Sequence, residues 1–237
     1  MDIASGRIVS VEALARWVSD HKVLSAGEFG FALTDHELGA QIGRAVVDRA
    51  IAEIAALNAG RTDKLALSIN ASAGELLRAS FLERIGQLCN ERAADIGPIT
   101  VEITEDVILD DRDGLFAQMH AAHANGVQFS LDDFGTGYAS LIHISTLPIS
   151  EVKVDRRFIT DITKDEAKQK VIKGIIEVAR SLDLRLIVEG VENSAQLEQI
   201  VALGGKLAQG HYYSRAVSFA ELTALVGGAP QPLAKAA

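Results

Sequence analysis

The sequence predicts an α/β chain whose parallel strands close into a (β/α) barrel. Three observations carry this. Short apolar runs alternate with longer helical patterns along most of the 237 residues. Each run has one apolar face and one small or polar face. Strand after strand ends on a carboxylate, an amide or an amine.

The first run, residues 7–12, sets Val9 and Val11 against Ser10 and Glu12. A helical segment is expected over residues 38–56. Residues 65–70 then oppose Leu65, Leu67 and Ile69 to Ala66, Ser68 and Asn70. After a helix at 81–92, residues 98–103 set Ile99, Val101 and Ile103 against Thr100 and Glu102. In residues 112–125, Leu115, Phe116, Met119 and Ala122 recur at helical spacing, and Asn125-Gly126 supplies the stop. Residues 127–132 alternate Val127, Phe129 and Leu131 with Gln128, Ser130 and Asp132. A strand at 150–154, a helix at 166–182, a strand at 184–189, a helix at 194–203 and a short strand at 206–208 complete the series. No linker or internal repeat interrupts it. Residues 1–226 are expected to form one domain and residues 227–237, rich in Gly, Pro and Ala, a loose tail.

Parity selects the barrel over an open sheet. A strand covered by helices on both sides is apolar on both faces. Here one face is polar, as expected where it lines a rim at which strand ends converge.

Bulk properties exclude several functions. A net charge of −9 argues against a nucleic-acid polymer or an anionic membrane as partner. No apolar run approaches a membrane span. Cys89 is the only cysteine, so neither an internal disulfide nor a cysteine-based zinc site is available, which fits a reducing cytoplasm. The six histidines are scattered without metal-binding spacing.

Glu12, Asn70, Glu102, Asp132, Asp133, Lys153, Glu189 and Gln209 all fall at predicted strand ends. Alone, Asp132-Asp133 reads as a solvated strand end or a helix cap, and Gln209-Gly210 as a turn. Several acids at matching ends read differently, because carboxylates sharing a pocket repel unless cations are present. Oxygen ligands favour Mg²⁺ or Mn²⁺ over zinc. Adjacent aspartates suit two ions, and ions about 4 Å apart clamp a phosphoryl group and lower the pKa of a water. Glu105 and Glu192 each follow a site acid by three residues, either as helix-start residues or as supports of the loops.

The motifs "VEALARW" (11–17), "SINAS" (68–72), "VEITE" (101–105), "LDDFGTGYASL" (131–141), "EVKVDRRFI" (151–159), "VEGVEN" (188–193) and "AQGHYYSR" (208–215) resemble, in the same order, those of the EAL domain family, bacterial phosphodiesterases acting on cyclic di-GMP. The resemblance implies a modified TIM barrel that hydrolyses cyclic di-GMP to the linear dinucleotide with two Mg²⁺ or Mn²⁺ ions. It makes Glu12, Asn70, Glu102 and Asp132 metal ligands. Asp132, Asp133 and Glu189 surround the second ion, and Glu189 is alternatively a general base. Lys153 lies near the attacking water, which places Glu12, Asp133, Lys153 and Glu189 in the catalytic set. Arg16 grips substrate phosphate and Gln209 lines the substrate pocket. Glu105 anchors the loop after Asp132-Asp133, a loop linked to homodimer formation and activity, and Glu192 is a further loop support.

The sequence departs from the pattern in three places. It starts just after the family's usual first strand motif, so that strand is expected to be missing or truncated. Ala15 and Ala139 replace a common leucine and serine, and "SRAVS" replaces Ser-Arg-Pro-Leu. The alternative function is a non-catalytic cyclic di-GMP sensor or protein-binding module.

Overall fold

The computed structural model of the chain describes residues 1–20, 22–92, 96–108, 114–135 and 141–227. In chain order, β1 (Ser10–Ala13) precedes a hairpin of β2 (Arg16–Ser19) and β3 (Lys22–Ser25). Then come α1 (Gly30–Thr34), α2 (His36–Asn58), β4 (Ala66–Asn70), α3 (Ala73–Leu76) and α4 (Ala79–Glu91). Next are β5 (Ile99–Thr104), a 3₁₀ turn (Glu105–Ile108), α5 (Leu115–Ala124) and β6 (Val127–Phe134). The chain continues through α6 (Leu141–Thr146), β7 (Ile149–Val154), α7 (Arg156–Ile159), α8 (Glu166–Ser181) and β8 (Arg185–Val188). It closes with α9 (Ser194–Leu203), β9 (Leu207–Ala208) and α10 (Phe219–Gly227). All seven runs read as strands are strands. Residue 227 ends α10; the rest of the predicted tail lies outside the described residues, as do Gly137 and Ala139.

The chain divides into two compact units, each discontinuous in sequence. The first comprises residues 1–9, 104–109 and 130 onward; the second comprises residues 10–103 and 110–129. In the second unit, β1 and β4 pair in parallel, with Glu12 opposite Ser68. Next to them, β4 and β5 pair in parallel with Asn70 opposite Glu102. In the first unit, β7 and β8 pair in parallel with Lys153 opposite Ile187, and β8 pairs with β9 in the same sense. The strand order is thus β1-β4-β5 in the second unit and β7-β8-β9 in the first.

No named strand precedes β1 among the described residues. Instead, Asp2 forms a single antiparallel bridge to Leu207. The Ile3 N–H donates to the Lys206 carbonyl at 2.9 Å, and the Ala208 N–H donates to the Met1 carbonyl at 3.0 Å. Residues 1–3 thus cover part of the β9 edge that parallel pairing with β8 leaves open.

Helix starts follow local capping. Asp35 accepts from the N–H groups of Glu37 and Leu38, so α2 begins ahead of the apolar pattern that marked it in the sequence. Ser72 and Glu75 form a capping box on α3. Asp165 and Asn193 cap α8 and α9. Along α8, Ile172, Ile176 and Ala179 recur on one face and are buried. Ile172 and Ile176 join Val154, Ile159, Val188, Val191, Ile200 and Ala208 in the core of the first unit. Burial of each large aliphatic side chain contributes about 1.5–3 kcal/mol.

On the polar strand face Ser68, Thr100, Glu102, Ser130 and Lys153 are all buried. The Thr100 and Ser130 hydroxyls are buried without a hydrogen-bond partner among the described residues. Val9, read as the first position on the apolar face of the first run, lies just ahead of β1 and is 37% exposed, and Val11 within β1 is half-buried. The hairpin β2–β3 was not foreseen. Its alternation of Trp17-Val18 with Val23-Leu24 about Asp20 was the available signal, and its antiparallel register pairs Trp17 with Leu24.

Candidate functional site

In the second unit, β1, β4 and β5 present Glu12, Asn70 and Glu102 near their C-terminal ends. The two-residue period puts Ser68 and Asn70 on one face of β4, so the side chain opposite Ser68 meets Asn70 one step further along. The Asn70 amide nitrogen donates to Glu12 Oε1 at 2.7 Å. The amide thereby spends a donor on Glu12 and keeps Oδ1 as an acceptor. Glu102 is 2% exposed, and Thr100, two residues earlier on the same face, buries a hydroxyl that has no hydrogen-bond partner. Arg16 lies on β2, exposed, with its guanidinium donating to the neighbouring Ala15 carbonyl at 2.9 Å.

In the first unit, Lys153 organises the acids. Its side chain is buried, and Nζ lies 2.7 Å from Glu189 Oε1 and 3.6 Å from Asp132 Oδ1. Strand pairing sets this up: the Glu189 N–H donates to the Val154 carbonyl at 3.1 Å, extending the β7–β8 ladder past β8. The Gln209 loop is woven onto the Glu189 loop. Gln209 N–H donates to Val188, Val191 N–H to Gln209, and Tyr212 N–H to Val191.

Asp133 turns away from the ladder. Its φ of 53° is left-handed, a costly conformation for a residue with a Cβ, and its N–H donates to Asp132 Oδ1 at 3.0 Å. Its carboxyl faces Asp155, a residue the sequence reading missed. Burial, the hydrogen bond with Asp155 and the charges of Asp132 and Asp155 push Asp133 up to about 6, against the opposing pull of Arg157. Asp155 is held below the ordinary carboxylate value. Burial pushes it up, but the hydrogen bonds from Asp133 and from the Arg157 N–H and guanidinium outweigh that. Oδ1 of Asp155 takes Arg157 N at 2.6 Å and Arg157 Nε at 2.8 Å. Parity was the usable signal, since Asp155 follows Lys153 by two residues and shares its side of the chain.

Glu105 and Glu192 differ in role. Buried Glu105 accepts from the Gly135 N–H at 2.7 Å. Gly135 has φ +94°, which a side chain would strain, and this lets the backbone turn its N–H onto the carboxylate. Glu192 is exposed; its N–H is held by the Gln196 side chain, and the helix cap is Asn193. Its carboxylate makes no hydrogen bond or ion pair among the described residues.

Among the described residues, no three Asp, Glu, His or Cys side chains stand together at metal-ligating distance. Glu12 is hydrogen-bonded to Asn70, Asp132 and Glu189 share Lys153, and Asp133 is hydrogen-bonded to Asp155. The donor set is oxygen throughout, which fits Mg²⁺ or Mn²⁺ and not a thiolate-bound metal.

The sequence profile of the EAL domain matches residues 1–216. The chain belongs to the EAL domain family. It is 32% identical over 224 residues to the bifunctional diguanylate cyclase/cyclic di-GMP phosphodiesterase MucR of Pseudomonas aeruginosa, covering 94% of this chain and 33% of that protein. It is 30% identical over 221 residues to the cyclic di-GMP phosphodiesterase NbdA of the same organism, covering 93% of this chain and 28% of that one. The chain therefore spans about a third of the length of these relatives. Among solved structures it resembles the MucR phosphodiesterase in complex with c-di-GMP, with TM-score 0.83 and 31% identity over 92% of this chain and 89% of that one. It also resembles the EAL domain of Mycobacterium smegmatis DcpA, with TM-score 0.80 and 28% identity over 96% and 94%. The fold class of this EAL domain is accordingly TIM-barrel-like. No helix among the described residues is long and apolar enough to cross a membrane.

Proposed function

We propose that this EAL domain hydrolyses one phosphodiester of cyclic di-GMP to the linear dinucleotide. The observation that carries the reading is the position of Lys153, buried between Asp132 and Glu189 at the ends of adjoining strands. A buried ammonium is expensive unless paired, and both partners of this one are acids at the strand ends. The kinship with cyclic di-GMP phosphodiesterases supplies the substrate class.

In this reading Glu12, Asn70, Glu102, Asp132, Asp133 and Glu189 hold two Mg²⁺ or Mn²⁺ ions. Such ions, when bound, stabilise charge on the attacked and leaving oxygens and lower the pKa of a water. Lys153 keeps Asp132 and Glu189 in fixed orientation. Its ion pair suits Glu189 to either role the sequence left open, cation ligand or general base. Arg16 and Gln209 bind substrate. The reading includes action as a homodimer in a bacterial cytoplasm.

The test is turnover of cyclic di-GMP by purified protein with Mg²⁺ or Mn²⁺. Wild type releases the linear dinucleotide, and Glu12→Ala or Asp132→Asn abolishes release while the thermal melt is retained. Near-wild-type turnover by either variant overturns the site. Ligand binding without product establishes the sensor reading instead.

A further inference from the structure

Three cationic residues crowd the end of β7, and two are already committed. Lys153 serves Asp132 and Glu189, and Arg157 serves Asp155. Arg156, between them, is exposed, and its guanidinium has no hydrogen bond or ion pair among the described residues. Its stem, however, is not loose. A Cβ added to Gly190 would lie 2.3 Å from Arg156 Cβ and 3.0 Å from its Cα. Gly190, with φ +71°, directly follows Glu189. The β8–α9 loop therefore leaves out a side chain where Arg156 passes, and the arginine stem runs against backbone one residue from a site acid.

The surroundings give this arginine a use. Asp132, Asp133, Asp155 and Glu189 make the strand ends of this unit acidic, with Lys153 and Arg157 as internal counter-charges. Without bound cations, a phosphodiester approaching them is repelled by carboxylates that outnumber their counter-charges. A guanidinium with a positioned stem and unspent donors offers a planar fork that matches phosphate oxygens two at a time.

We infer that Arg156 is a substrate-binding residue whose guanidinium takes a phosphate oxygen of the cyclic dinucleotide. This rests on the phosphodiesterase reading above for the identity of the ligand. The contact is made equally in the ground and transition states, so it acts on KM and not on kcat.

The test compares wild type, Arg156→Ala and Arg156→Lys by hydrolysis kinetics and by equilibrium binding of cyclic di-GMP without added divalent ion. Arg156→Ala raises KM and Kd by about tenfold to a hundredfold, the range for a charge-assisted hydrogen bond, with kcat within about twofold. Arg156→Lys recovers part of the loss. Added salt raises the wild-type KM more steeply than that of Arg156→Ala. Unchanged KM and Kd in Arg156→Ala, or a loss with no change in salt dependence, overturns the phosphate contact alone. Binding that weakens in Arg156→Ala while wild type releases no linear product overturns the enzymatic reading and keeps this one. Absence of both binding and turnover of cyclic di-GMP by wild type, with and without divalent ion, overturns both.

Discussion

Glu105 Oε1 accepts the Gly135 N–H at 2.7 Å and so ties the turn after β5 to the first glycine beyond the Asp132-Asp133 pair. The carboxylate is 5% exposed, so water cannot replace it cheaply. Glu105→Ala is expected to lower kcat by about tenfold to a hundredfold, since a hydrogen bond to a charged group contributes about 1.5–3 kcal/mol. Glu105→Gln keeps an acceptor and loses less. Steady-state kinetics on the three proteins check this, and equal kcat values would separate the turn from catalysis.

Lys153 is the shared partner of two acids, and replacing it leaves both without a cation. Lys153→Met retains most of the buried stem and removes the charge. Hydrolysis should fall at least about a hundredfold, the scale of losing one positioned donor in an active site. The check is single-turnover rate at saturating substrate, which excludes a change in binding.

On the two-cation reading, Asp133, pushed up to about 6, should make cation binding pH-dependent. Its folded pKa lies above the ordinary unfolded value, so the metal-free protein holds an extra proton between about pH 4 and pH 6 and loses stability as pH rises through that window. A cation needs the carboxylate and so expels that proton. Mg²⁺ binding at pH 6 should release protons, and release should fade by pH 8. Calorimetry in buffers of different ionisation heat measures the number, and Asp133→Asn should abolish it.

Asn58 is fully buried and stands in for a strand partner. Its side chain donates to the Leu65 carbonyl and accepts from the Leu65 N–H, both at 2.9 Å. Asn58→Ala leaves both backbone groups unpaired and should cost at least about 2 kcal/mol. Urea unfolding at unchanged slope provides the measure, and Asn58→Asp, which sets a buried carboxylate against the Leu65 carbonyl, should cost at least as much.

Much of this molecule is legible in the sequence because the relevant signals are local. Side-chain alternation located β1, β4, β5, β6 and β8, and it placed Asn70, Glu102 and Asp132 near strand ends. Helical spacing located α5 and α8. The hairpin β2–β3 escaped because its apolar side chains, Val18 at 73% and Val23 at 65% exposure among them, do not build a core, and the reading looked for core-forming patterns. Asp155 escaped because one aspartate before two arginines is an ordinary helix start, and only the left-handed turn at Asp133 brings the two carboxyls together.

Sequence by itself determined the succession of elements, the family and the chemical type of the residues at the strand ends, because a two-residue period and contiguous motifs need no knowledge of neighbours. Tertiary structure alone decided which charge meets which. The pairing of Lys153 with Asp132 and Glu189, of Asp133 with Asp155 and of Glu105 with Gly135 depends on strand register and loop conformation. Those are set by packing between segments far apart in the chain, where periodicity carries no information.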